Sequence, residues 1–289
     1  MTEITDTSFY NMASAGKLGW EPDWFGVEGF GRDLEEAVKQ FQRESNLTVD
    51  GLCGPMTFAR IYTQRESELH EKTYIIVDEN VKLEIDWPKV DTETLRLPST
   101  NYREVHGNRK ITEIVTHWDA TLSAKYCYNI LKKKGISTHF CIDNDGTIYQ
   151  MVDPKHKAWH AKGHNGHTIG IDLSNAYYLK YNKTYQRSGF GPRPILNSTL
   201  HGRDLGEHLG YYPEQLKAYK ELLKVLTEYF DIKLKAPMVD GKLCDTVYEP
   251  AVEKKFNGIV SHYHLTTNKI DCAGLEIDKI IEEIKEEIK

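Results

Sequence analysis

Residues 111–117 read ITEIVTH and residues 258–262 read GIVSH. Both are short apolar runs rich in β-branched residues, the pattern of a strand buried in a sheet. Both end on a histidine. Between them strand and helix patterns alternate. Residues 123–134 read as a helix closed by Gly135. THFCIDNDGTIYQMVD (138–153) reads as two strands turning at Asn144-Asp145-Gly146. HTIGIDLSN (167–175) reads as a further strand. PEQLKAYKELLKVLTEYF (213–230) is an amphipathic helix started by Pro213. LEIDKIIEEIKEEIK (275–289) is a last helix, with Ile277, Ile280, Ile281, Ile284 and Ile288 on one face. This alternation predicts an α/β fold: a mixed central sheet flanked by helices. The segment about 182–210, with Gly, Pro and Asn, reads as a surface loop or insertion.

Ahead of that domain lies a different pattern. Residues 8–64 read as a small all-α domain. Leu34, Ala37, Val38 and Phe41 share one helical face, with Asp33 as its cap and Glu36 completing a capping box. A turn at Asp50-Gly51 and a stop at Gly54-Pro55 precede a second helix. The charged residues 65–72 read as a linker or helix end, and 73–289 as the main domain. That domain opens on a β-hairpin, TYIIVDENVKLEI, turning at Asp78-Glu79-Asn80.

The 289-residue chain is 39% hydrophobic and 28% charged, an ordinary globular composition. A net charge of −6 argues against a general nucleic-acid binder. No apolar run approaches the ~20 residues needed to span a bilayer. A monomer is expected. The first residues, MTEITDTSFYNM, lack a basic stretch followed by an apolar one, so synthesis in the cytosol without a conventional secretory signal is expected. Five cysteines without a CxxC spacing indicate neither a disulfide framework nor a zinc ribbon.

A metal site needs ligands on rigid supports, and strand ends provide them. His117 and His262 each close a strand, and Asp271 follows nine residues after His262. Two imidazoles and one carboxylate match the three protein ligands of a catalytic zinc site. Read from spacing alone, each histidine could equally be a satisfied structural residue.

Four segments in order then carry a resemblance: IVTHWDAT, STHFCIDNDGTIYQMVD, KAWHAKGHNGHTIGIDL and SHYHLTTNKIDCAG. From about 108 to 275 the chain resembles the type 2 N-acetylmuramoyl-L-alanine amidases, enzymes of bacterial peptidoglycan. The resemblance implies zinc bound by His117, His262 and Asp271, with His264 and Cys272 as competing candidates. It implies that Lys269 stabilises the oxyanion and that Asp172 stands where one branch of the family carries a catalytic Glu. Thr138 stands where phage members carry a Tyr, so this chain departs from their catalytic set. Trp159, His160 and Asn165 match a segment implied to line the substrate groove, and His139 a structural position beneath the site. His156, His164 and His167 receive no role. Val38, Phe41-Gln42, Leu47, Val49-Asp50-Gly51, Gly54-Pro55 and Thr57 resemble a peptidoglycan-binding domain, in which Trp20, Trp24 and Phe25 could stack on sugar or form core. Together these imply a wall amidase of the phage-endolysin kind, made in the host cytoplasm. A binding protein without activity and a peptidoglycan zinc endopeptidase are the alternatives.

Overall fold

The computed structural model describes residues 5–69, 72–78 and 81–289. The chain divides into two compact units, Met1–Glu71 and Lys72–Lys289.

The first unit holds α1 (Asp6–Leu18), α2 (Arg32–Glu44) and α3 (Pro55–Leu69). Its core gathers Ala15, Trp20, Leu34, Val38 and Cys53, with Trp24, Phe25 and Phe58 packed against them. Trp20 is 1% exposed and donates its indole N–H to Ser14 Oγ, so it is core rather than binding surface. Gln42 holds the following turn: its Oε1 accepts from the N–H of Asp50 at 3.0 Å and of Gly51 at 2.9 Å. Gly51 has φ +75°, and a Cβ there would meet Glu35 Cγ at 2.9 Å. One sequence expectation changes, and of the two readings of 65–72 the helix end holds. Gly31, not Asp33, caps α2, and no side chain caps it. Asp33 instead lies in the first turn, where its charge suits the helix dipole. Helix α3 runs to Leu69, so most of the stretch 65–72 is helical; residues 70 and 71 lie outside the described residues.

The second unit opens with β1 (Thr73–Asp78) and β2 (Val81–Ile85), an antiparallel pair. Glu79 and Asn80, read as their turn, lie outside the described residues. There follow β3 (Val90–Asp91), β4 (Tyr102–Arg103), β5 (Glu113–Trp118), α4 (Ala124–Lys134), β6 (Phe140–Ile142), β7 (Ile148–Gln150), β8 (Lys157–Ala158) and β9 (Thr168–Leu173). Then come α5 (Asn182–Arg187), β10 (Ile195–Leu200), β11 (Arg203–Leu209), α6 (Pro213–Tyr229), β12 (Met238–Val239) and β13 (Lys242–Leu243). Helix α7 (Glu249–Val252), β14 (Gly258–Ser261) and α8 (Ile277–Glu287) complete the unit. The central sheet has six strands in the order β14-β5-β9-β6-β7-β3. It is mixed: β14, β5, β9 and β6 run parallel, and β7 is antiparallel to β6.

Alternation along the strands separates two faces. Ile114 and Trp118 of β5, Ile169, Ile171 and Leu173 of β9, and Phe140 and Ile142 of β6 join one core with Leu222, Leu226, Ile277, Ile281 and Ile284 from α6 and α8. Ile288 lies past the end of α8 and is 64% exposed. The residues between them, Glu113, Val115 and His117 of β5 and Thr168, Gly170 and Asp172 of β9, point to the opposite face. On that face Cys141 of β6 packs with Ala124 and Cys127 of α4. All of them are buried there, and the space beside Gly170 is filled by the His160 ring.

The segment 182–210 is not an irregular loop. It carries α5 and the hairpin β10–β11, turning through His201 (φ +54°) and Gly202 (φ +70°). Such a two-residue turn with both φ positive is a favoured hairpin link, more often written Asn-Gly. His-Gly hides that signal. The segment is anchored by Arg193, 2% exposed, whose guanidinium donates to Gly210 O at 2.8 Å and Ser174 O at 2.6 Å and also to Asn144 Oδ1. It is stacked 4.4 Å from both the Tyr185 and Tyr212 rings. Replacing Arg193 by Met should leave those buried carbonyls unpaired and cost about 2–4 kcal/mol. Chemical denaturation checks this; an unchanged midpoint would show that Arg193 does not anchor the segment.

Candidate metal centre

Parallel pairing brings three strand ends to one edge of the sheet. Register sets Ser261 beside Thr116 and His117 beside Asp172. His262, one residue beyond β14, therefore comes level with His117. The chain then turns through 262–264 and returns with Asp271, tied back by the Tyr263 N–H donating to Asp271 O at 3.0 Å. Ligand sites commonly lie at the carboxyl ends of parallel strands, and this one does.

His117, His262 and Asp271 are 6%, 8% and 6% exposed. His117 Nδ1 and His262 Nδ1 stand 3.0 Å apart, and Asp271 Oδ2 lies 3.1 and 3.0 Å from them. Hydrogen bonds cannot satisfy this triangle. Each Nδ1 carries either a proton or a lone pair. Burial works to raise the Asp271 carboxyl, but the hydrogen bonds to His117 and His262 hold it well below the usual carboxylate range. If both imidazoles donate to that carboxylate, their two protons face each other across the third edge. A cation at the centre removes the conflict. A tetrahedral zinc with ligands at about 2.0–2.1 Å separates them by roughly 3.3 Å, so the three atoms fit with little adjustment. Burial also pushes His117 down to about 4, so its imidazole is neutral, the form that binds metal.

The far side of His117 is tied to a chain of hydrogen bonds. His117 Nε2 lies 3.0 Å from His160 Nδ1, and His160 Nε2 lies 3.1 Å from Thr168 Oγ1. The Thr168 hydroxyl donates to His164 O at 3.0 Å. A carbonyl only accepts, so the donor order follows from that end. Thr168 accepts from His160 Nε2–H, His160 Nδ1 accepts from His117 Nε2–H, and His117 Nδ1 faces the triangle with a lone pair. The sequence reading placed His160 and Asn165 in a substrate groove. His160 lines the cleft and also orients His117. Asn165 is 4% exposed, and its Oδ1 accepts from the N–H of His160 at 3.1 Å and of Ala161 at 2.7 Å, holding that loop. The His160 ring covers Gly170, where a Cβ would meet it at 2.7 Å.

The two competing ligands are engaged elsewhere. His264 accepts at Nδ1 from Ser261 N–H at 2.9 Å and donates from Nε2 to Cys244 O at 2.8 Å. Cys272 points into the core beside α6 and α8, and burial pushes its thiol up.

A cleft of about 370 Å³ opens over the triad. His117, His262, Asp271, His160, Asp172, Lys269 and Trp159 all line it, whereas Asn165 does not. Lys269 is exposed and Trp159 half-buried. Asp172 is buried, and burial, with Asp119 nearby, raises its carboxyl well above the ordinary range. Sequence reasoning missed the cleft wall formed by Trp118 and Tyr177, whose rings stack 4.7 Å apart. It also missed Thr168. Positions 168, 170 and 172 share a strand face with one another, a pattern that could have marked Thr168 as a support.

Residues 107–274 match the family described as N-acetylmuramoyl-L-alanine amidase. The chain belongs to that family. The match contains the whole triad and every residue named on the cleft wall. Residues 22–61 match a putative peptidoglycan binding domain. N-acetylmuramoyl-L-alanine amidase A of Achromobacter lyticus is 55% identical over 38 residues, 13% of this chain and 22% of that protein. The chain thus spans about a fifth of the length of the curated relative it matches. Among solved structures, the amidase LysC from Clostridium intestinale URNW is 16% identical, covering 68% of this chain and 96% of that one, with a TM-score of 0.37. The Staphylococcus aureus hydrolase AmiA is 13% identical, covering 68% and 82%, with a TM-score of 0.40.

The hydrogen-bond order predicts that His160→Ala leaves the fold intact but lowers Zn2+ affinity about 10–100-fold, the usual effect of losing a ligand's outer partner. Competition with a chelator measures it. Unaltered affinity would mean that His160 does not hold His117.

Proposed function

We propose that the chain is a zinc hydrolase of bacterial peptidoglycan that cleaves the amide between the lactyl group of N-acetylmuramic acid and L-alanine. The observation that carries this reading is the buried triangle of His117, His262 and Asp271 at the floor of a cleft in a chain of the amidase family. When bound there, zinc supplies Lewis acidity and lowers the pKa of a water toward neutrality.

The chain's own residues divide the remaining work. His117, His262 and Asp271 are the ligands. Asp172 presents a carboxylate to the cleft beside His117 and accepts the proton of the attacking water, then returns it to the leaving amine. Its reach, one methylene less than a glutamate's, is shortened no further by a loop, because it projects from the sheet itself. Lys269 brings an ammonium to the cleft, where it stabilises the negative charge developing on the scissile carbonyl oxygen. Trp159, with Lys157 5.0 Å from its ring centroid, gives the substrate an aromatic wall. The unit containing residues 22–61 holds the enzyme on the wall polymer. This pairing suits a phage lysis enzyme, made in the host cytoplasm and acting on the wall after release, as a monomer.

Mass spectrometry of digested purified peptidoglycan tests the reaction. The expected products are glycan ends bearing free lactyl carboxyls and stem peptides beginning with L-alanine. New amino ends within the stem peptide, or binding without cleavage, would overturn the proposal. His117→Ala and Asp271→Ala should abolish lysis. Lys269→Ala should lose about 10²–10³-fold in kcat, the usual effect of removing an oxyanion donor. Full lytic activity in His117→Ala would rule out the metal assignment.

A further inference from the structure

Three more ligand-type side chains converge away from the cleft. Glu113, His164 and His167 each offer a donor atom, and these atoms lie within 4.8 Å of one another. Glu113 starts β5, on the same strand face as His117. Four residues at about 3.3 Å each separate the two, roughly 13 Å along the strand. The clusters share no ligand.

The cluster is built, and it is incomplete as protein alone. The Glu113 side chain is 0% exposed, and its Oε2 lies 3.2 Å from His167 Nε2. Its other oxygen, Oε1, is buried without a hydrogen-bond partner, and so is His164 Nδ1. Leaving a buried acceptor unpaired is costly, and more so on a carboxylate.

The backbone holds the three residues together. His167 O accepts from the N–H of Thr112 at 2.9 Å and of Glu113 at 3.3 Å, and His167 N–H donates to His164 O at 3.2 Å. His164 and His167 are half-buried, so an ion can enter from solvent. Lys254 lies close enough to His164 to oppose a weakly bound cation. The donor set therefore calls for strong nitrogen affinity. Two imidazoles and a carboxylate suit zinc, cobalt or nickel; magnesium and calcium prefer oxygen.

We propose that Glu113, His164 and His167 form a second site for a divalent transition ion, structural in role. Bound there, the ion clamps the loop 162–168 to the start of β5. That loop carries Thr168 and the His164 carbonyl, the end of the chain that orients His117.

The test is zinc stoichiometry by equilibrium dialysis and elemental analysis of the full chain, with circular dichroism to confirm folding. Wild type should hold two equivalents. His117→Ala and, as a second variant, His262→Ala should hold one. Glu113→Gln, which keeps an acceptor for His167, and His164→Ala should also hold one, and Glu113→Gln combined with His117→Ala none. If the first site failed instead, one equivalent would remain that His117→Ala leaves and Glu113→Gln removes. One equivalent in wild type, lost in His117→Ala and kept in Glu113→Gln, would overturn the proposal.

Discussion

Two imidazole nitrogens and a carboxylate oxygen cannot be packed into a triangle 3.0–3.1 Å on a side unless the scaffold insists on it. No arrangement of protons satisfies all three edges with the carboxylate ionised, so the protein meets an electrostatic cost wherever a cation is absent. The rest of the unit can be understood as what supplies that insistence. Parallel pairing of β14, β5 and β9 fixes the level of His262, His117 and Asp172 to within one residue step. The apolar face of the same strands, packed on α6 and α8, provides the stability. Function and stability therefore use opposite faces of the same strands, presented by successive residues.

Support for the triad extends outward through directional bonds rather than through packing alone. His160 links His117 to Thr168, and Thr168 to the His164 carbonyl. Asn165 fixes the backbone that carries His160. Gly170 leaves the space its ring occupies. Thr168, Asn165 and Gly170 are buried and His160 is half-buried but bonded at both ring nitrogens, so the support can be rigid, which a ligand shell requires. The cluster of Glu113, His164 and His167 lies at the far end of this chain of contacts.

Much of this was legible from the sequence, for identifiable reasons. ITEIVTH and GIVSH read as strands because their residues are β-branched and apolar, and their terminal histidines do come together. Their parallel neighbours, the helix stop at Gly135 and the helix start at Pro213 were readable from local chemistry. What could not be read depends on tertiary position. His160 and Asn165 sit in a motif whose spacing says nothing of which way each side chain points. The choice between Asp271 and Cys272 required the turn that sends one to the cleft and the other to the core. The hairpin β10–β11 escaped because its turn is His-Gly, and its anchor, Arg193, is a residue type that sequence patterns assign to the surface. Gly31 displaced Asp33 as the cap of α2 by a shift of two residues, within the usual uncertainty of helix ends.

The central claim is that His117, His262 and Asp271, and not Cys272, hold the metal. X-ray absorption at the zinc edge of the zinc-loaded chain tests it most directly. The account predicts a first shell of nitrogen and oxygen alone at about 2.0–2.1 Å with the outer scattering of imidazole rings. A sulfur scatterer at about 2.3 Å would contradict it.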